Sequence, residues 1–202
     1  MNADTDVSTS WREAGLRDIS LVCGILANAF MDEPAFRYIL PDRSRRHSAL
    51  VKAFGVIAGE DRRAGSIFVT AGGEAATLWR KPERMRETAW DGVRTALPFL
   101  SAFGSSIGRA TKVAGLIKAH LPDEPCWYLR FAGCHSDHRG KGFGGAVIRA
   151  GLHQADMQRS KAYLETADEV NLPIYRSLGF EVIHSWQVPD GPVFWGMMRP
   201  AR

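Results

Sequence analysis

The spacing of apolar positions changes several times along this chain, and each change marks an element. Residues 11–14 carry a short extended pattern. Ile19, Val22, Ile25, Leu26 and Ala29 then recur at helical spacing, predicting a helix from an Asp18 cap to Phe30. A second helical zone spans 34–59 and breaks near Pro41, because proline has no amide for a helix interior. Residues 66–70 and 75–79 read as two strands joined through Ala71, Gly72 and Gly73. The stretch 82–120 returns to helical spacing and is longer than a plain connection, which predicts an insertion that forms a substrate wall. Extended patterns at 127–134, 162–166, 180–188 and 193–199 complete a mixed sheet. Helical segments separate the first three of these.

The turn between the strand at 127–134 and the next helix concentrates Gly140, Gly142, Gly144 and Gly145. Glycine permits positive φ and close approach of backbone to a ligand. The helix that follows keeps Ile148, Leu152 and Ala155 on one face, and its first amides and dipole would receive an anion. Arg139 and Lys141 flank the turn and suit a pyrophosphate. A Walker A loop is excluded, since no hydroxyl residue follows Lys141. The dinucleotide fingerprint is matched by Gly140, Gly142 and Gly145, with Glu165 about twenty residues on as the ribose acid. Against it, residues 135–139 separate strand from glycines, and little chain remains for a doubly wound sheet.

A third reading fits the spacing. Arg139-x-x-Gly142-x-Gly144 resembles the acetyl-CoA pyrophosphate loop of the GNAT superfamily of N-acetyltransferases. Downstream, Asn171-x-x-x-Tyr175-x-x-x-Gly179-Phe180, with Pro173 in the first turn of a short helix and Gly179 as its stop, resembles the second GNAT signature. The likeness extends to the puromycin N-acetyltransferase group through 124–129, the glycine loop, Leu164-Glu165-Thr166, 171–175 and 188–192, and more weakly through 29–34 and Leu78-Trp79. This chain departs from that group at Cys134 and Ser136, where valine and proline are usual, and at Arg139, often glutamine there.

The resemblance implies a GNAT fold, α/β of the mixed α+β kind, with a central twisted sheet of six to seven strands flanked by helices and a helical insertion before the central strand. It implies acetyl-CoA as co-substrate. Ala132 and Cys134 would contact it through backbone groups, with the Cys134 amide facing the acetyl oxygen. Arg139, Gly140, Lys141, Gly142, Phe143 and Gly144 would hold the pyrophosphate, and Asn171 the CoA arm. Tyr175 would face the thioester sulfur.

The chemistry sets further demands. An ammonium with a pKa of about 10.4 must lose a proton before attack, and the leaving thiolate must gain one. Tyr175 is the candidate acid. Many superfamily members carry the base on the central strand, where this chain has Tyr128 and no carboxylate. Glu33 is the candidate base, acting through an ordered water, with Glu165 the other possibility. Asp32, Trp79, Trp127 and Tyr128 are expected to line the acceptor pocket. The acceptor is expected to be the primary amine of a small molecule. A protein amine, or a non-catalytic acyl-CoA-binding module, are the competing readings.

Composition adds exclusions. The 202 residues, 45% hydrophobic and 24% charged, suit one domain over 1–202. A formal charge of +4 is spread over scattered basic residues with acids interleaved, which favours a polyanionic cofactor over nucleic acid. Cys23, Cys126 and Cys134 lack metal-type spacing, and His135 and His138 lack partners. The polar start at 1–6 has no apolar leader and no run approaches the roughly eighteen apolar residues of a span, so a cytoplasmic location without a membrane partner is expected. Both monomer and homodimer are compatible with the sequence.

Overall fold

Each extended segment read above becomes a strand, and seven of them share one sheet. They are β1 (Trp11–Glu13), β2 (Gly65–Thr70), β3 (Ala75–Arg80), β4 (Trp127–Cys134), β5 (Ala162–Thr166), β6 (Glu181–Gln187) and β7 (Val193–Arg199), in the order β1-β2-β3-β4-β5-β7-β6. The computed structural model describes residues 10–202; the polar start at 1–6 lies outside them. Neighbours are antiparallel except β4 and β5, which run parallel. A parallel pair needs a crossover, supplied here by the glycine loop and α6 (Phe143–Met157).

The other helices are α1 (Ile19–Ala29), α2 (Pro34–Ile39), α3 (Arg43–Ala64), α4 (Ala89–Phe103), α5 (Ile107–His120) and α7 (Leu172–Ser177). One face of the sheet packs Ile67, Val69 and Leu78 against Val22 and Leu26 of α1 and Leu50 and Phe54 of α3. The opposite face packs Trp79, Trp127, Leu129 and Leu164 against Val147 and Leu152 of α6. The insertion folds as α4 and α5, which lean on α3 and α2 respectively.

Two local expectations are corrected. Asp18 stands at the N-cap of α1 but makes no side-chain capping bond to it: its carboxylate turns back to accept from both terminal nitrogens of Arg12, at 2.7 and 2.6 Å, and from the Gly15 amide at 2.8 Å. Helix α3 runs past Gly59 to Ala64. Gly59 imposes no stop, because it is an ordinary helical position with open space around it. The chain turns at Gly65 instead, where a Cβ would sit 1.9 Å from the Trp79 carbonyl oxygen.

The sheet is irregular where it matters. Leu78 pairs with Phe131 but Trp79 pairs with Leu129, leaving Arg130 as the extra residue of a β-bulge. In a regular strand Leu129 and Phe131 share a face. Here Leu129 packs on the α6 side and Phe131 on the α1 side. Strand β4 pairs with β5 only from Trp127–Ala162 to Leu129–Leu164. Beyond that point the two strands part, and the β5-facing backbone of β4 from Arg130 to Cys134 has no strand neighbour.

Candidate active site

The fork between β4 and β5 leads at one end to the glycine loop. Gly140 and Gly142 take φ of +77° and +85°, a region that disfavours any side chain. Gly142 is the N-cap of α6, and the Ala146 amide, bonded to the Gly142 oxygen at 3.0 Å, closes the first helical turn. The amides before it are the ones a helix leaves for an outside acceptor. The flanking cations are tied down: Arg139 donates to the Ala29 carbonyl and Lys141 to the Asp137 carbonyl, both at 3.0 Å. The side chain of Phe143 is buried in the core. Ala132 and Cys134, on the freed edge of β4, are partly buried, and burial raises the Cys134 thiol.

At its other end the fork opens into a cavity of about 550 Å³. Its far wall is apolar, with Phe36 and Ile39 of α2, Phe99 and Phe103 of α4, and Val113 and Ile117 of α5. The helical insertion therefore supplies a large part of the lining. Polar groups line it as well: Tyr128, Arg130 and Glu165 on the sheet, Glu33 at the cap of α2, Asn171 and Tyr175 at α7, and Thr95, Thr111 and Lys118 of the insertion. Tyr175 is buried on α7, and its phenol is raised by desolvation first and then by the charges of Asp168, Glu33 and Glu165.

Glu33 is the N-cap of α2 and accepts the Phe36 amide at 2.9 Å. Phe30, Phe36, Phe54 and Phe131 form a ring cluster beside it, with centroids from 5.1 to 6.3 Å apart. Loss of water pushes Glu33 up to about 7, against the opposing pull of its cap hydrogen bonds. Arg46 fixes this corner. Its guanidinium, buried in α3, donates to the carbonyls of Met31, Leu40 and Pro41 at 2.7, 2.7 and 3.1 Å.

Three expected pocket residues lie elsewhere. Asp32 points to solvent, 3.4 Å from Arg43 and 3.7 Å from Arg46. Trp79 and Trp127 are core residues on the α6 face, edge to face at 6.4 Å. Gly151 of α6 seats directly on Trp79, and the Trp127 indole donates to Gln158 at 2.9 Å. Strand parity sends these indoles away from the cavity. Tyr128, of opposite parity to Trp127, faces it.

The central-strand position holds Tyr128, as read from the sequence, and a carboxylate of the neighbouring strand stands against it. The Tyr128 hydroxyl donates to Glu165 Oε1 on the neighbouring strand. Tyr128 pairs with Tyr163 in the parallel register, so Glu165 lies two positions further on the same face. Apolar surroundings push Glu165 up to about 7, while Tyr128 and Arg130 hold it down. A second group was missed from sequence. Asp61 of α3, fully buried, accepts from Arg80 at 2.6 Å and Arg130 at 2.9 Å, and Glu87 takes the second terminal nitrogen of Arg130 at 2.8 Å. No local signal connects these four residues; the bulge places Arg130 among them.

The site thus consists of a forked parallel strand pair, a glycine turn beyond the end of β4, and a walled cavity. Residues 74–180 match the acetyltransferase (GNAT) family model. The fold is similar to that of the histone acetyltransferase HPA2 and related acetyltransferase of Corynebacterium glutamicum, at 23% identity and TM-score 0.71 over 96% of each chain. It is also similar to arylalkylamine N-acetyltransferase 2 of Aedes aegypti (13% identity, TM-score 0.63, 96% of this chain and 99% of that one). The polyamine N-acetyltransferase of Drosophila melanogaster is similar at 13% identity and TM-score 0.55, over 95% of this chain and 99% of that one. The chain belongs to the GNAT family of acetyltransferases. By class it is an acyltransferase. Among the described residues no helix is long and apolar enough to cross a membrane.

Proposed function

We propose that this acyltransferase moves the acetyl group of acetyl-CoA to the primary amine of a small apolar molecule, by direct attack in a ternary complex. One observation carries the reading: Tyr175 lines the cavity with Arg130 and Phe131, on the stretch of β4 beyond its last pair with β5, and that strand runs on into the glycine loop. The loop fits a pyrophosphate, since its positive-φ glycines leave room for one and its amides precede the first helical bond of α6. Gly140 through Gly144 would hold it mainly by backbone, because Arg139 and Lys141 already donate to carbonyls. Ala132 and Cys134 would bind the pantetheine arm along the free edge of β4, with Asn171 beside it. When bound, the thioester supplies an activated acetyl group.

The chain's own residues then manage protons. A phenol raised by burial stays protonated at neutral pH, so Tyr175 can donate to a thiolate whose own pKa is about 8.5. The ammonium proton must pass to a carboxylate of the cavity, and both Glu33 and Glu165 line it, each pushed up to about 7 by loss of water. The apolar far wall favours an acceptor with a hydrophobic body over a polycation, whose second charge would be desolvated there. This agrees with the arylalkylamine acceptors in the name of one structural neighbour. Likeness of the C-terminal half to the puromycin group makes puromycin a member of the first substrate panel.

Calorimetric titration with acetyl-CoA, CoA and NAD, followed by thiol release over an amine panel, tests the proposal. Acetyl-CoA binding with amine-dependent release is the expected result. Tyr175→Phe should keep acetyl-CoA binding and lose about 10²–10⁴-fold in kcat. NAD affinity without CoA affinity would overturn the reading, and binding without any release would leave a non-catalytic acyl-CoA module.

A further inference from the structure

Glu33 commits one carboxylate oxygen to the Phe36 amide at the cap of α2, and neither of its oxygens is among the buried, unpartnered ones. The cavity holds a second carboxylate, one oxygen of which is buried and unpartnered. Glu165 accepts from Tyr128 through Oε1, while its Oε2 is buried and has no hydrogen-bond partner among the described residues. A buried carboxylate oxygen left bare is costly, and folds keep one where a ligand or a proton completes it. Its position is equally informative. The last pair joining β4 to β5 is Leu129–Leu164, so Glu165 is the first side chain beyond the point where the strands part. The fork that would admit the thioester thus has a carboxylate at its root.

We infer that Glu165, oriented by Tyr128, is the base that takes the proton from the acceptor's ammonium group. This rests on the acetyltransferase reading above. One N–H bond of the ammonium breaks and an O–H bond forms on Oε2; the nitrogen lone pair set free attacks the acetyl carbonyl. As the C–S bond breaks, the second N–H proton reaches sulfur by way of Tyr175. Glu165 returns its proton to water when product leaves. One proton is released per turnover, as conversion of an ammonium and a thioester to an amide and a thiol requires.

The charged and titratable groups around Glu165 are consistent with this task. Tyr128 and Arg130 face it from β4, Tyr163 and Cys126 lie beside it toward the closed end of the strand pair, and Tyr175 reaches it from α7. Arg130 gives its terminal nitrogens to Asp61 and Glu87 and acts on Glu165 only through its charge, without a hydrogen bond to it, and Lys118 of α5 lines the same cavity. Tyr128 is a positioning residue: its hydroxyl holds one oxygen and thereby aims the other.

The test is the pH dependence of kcat for wild type, Glu165→Gln, Tyr128→Phe and Glu33→Gln, with any amine that releases thiol. Glu165→Gln should lose about 10²–10⁴-fold in kcat, keep its acetyl-CoA affinity, and lose the rise in kcat through neutral pH. Tyr128→Phe should retain that rise but move it to higher pH, since a donor to the carboxylate is gone. Glu33→Gln should keep the rise in place. Wild-type kcat and pH profile in Glu165→Gln, or loss of the rise in Glu33→Gln alone, overturns the inference. Should the protein bind acetyl-CoA and turn over no amine, the acceptor half of the proposed function fails by itself. Infrared titration then decides on Glu165: a protonated carboxyl band that fades through neutral pH and is missing in Glu165→Gln supports its role, and a wild type without that band refutes it.

Discussion

Removal of the charge from Glu165 should stabilise this protein at neutral pH while disabling it. In the fold the carboxyl is pushed from its ordinary 4.5 up to about 7. Between those values the folded chain holds a proton that the unfolded chain has released. Stability falls with rising pH wherever the folded state binds more protons, so the penalty is absent below 4.5 and complete above about 7. At about 1.4 kcal/mol per pH unit, its full size is roughly 3 kcal/mol. Glutamine mimics the protonated carboxyl and still accepts from Tyr128. Glu165→Gln should therefore match wild type near pH 4.5 and exceed it by about 1–3 kcal/mol near pH 8, a gain of roughly 3–10 °C in Tm for a chain of this size. Urea unfolding followed by tryptophan fluorescence at several pH values measures it. Glu33 is raised in the same direction, so the decline with pH should shrink in the variant and not vanish. An unchanged pH dependence, or a variant less stable than wild type near pH 8, would refute the reasoning.

Three further outcomes follow from packing. Asp61→Asn removes the negative charge shared by Arg80 and Arg130, buried in the core, and should destabilise by about 3–5 kcal/mol with a lowered urea midpoint. Gly142→Ala meets no atom, but its φ of +85° makes any side chain strained; about 1 kcal/mol of stability and several-fold in acetyl-CoA affinity should be lost, read by thermal melts and calorimetry. Gly151→Ala would put a Cβ 2.1 Å from the buried Trp79 ring, and overpacking of about 1–3 kcal/mol or more should appear as a lowered Tm and a shifted tryptophan spectrum.

Much of the architecture was written in local signals. Strands at 127–134, 162–166 and 193–199 follow from runs of apolar residues between turn residues, and the structure sets them at the same bounds. The glycine turn and the short helix that carries Tyr175 are equally local, because positive φ, proline at a helix start and glycine at its end act on adjacent residues. What lay beyond the sequence depends on parity and on distance along the chain. Trp79, Trp127 and Tyr128 look alike as aromatic strand residues, yet the pleat buries the two indoles under α6 and turns the phenol to the cavity. A single extra residue at Arg130 reverses the face of everything after it, and no pattern of period two announces such a bulge. Tyr128 and Glu165 are 37 positions apart, and Asp61 and Arg130 are 69 apart. Sequence alone determined which segments become strands, helices and loop, since those choices are made by neighbours along the backbone. Only the tertiary structure decided which carboxylate stands bare at the root of the fork, because burial and charge at that point come from four strands and helices that meet nowhere but in space.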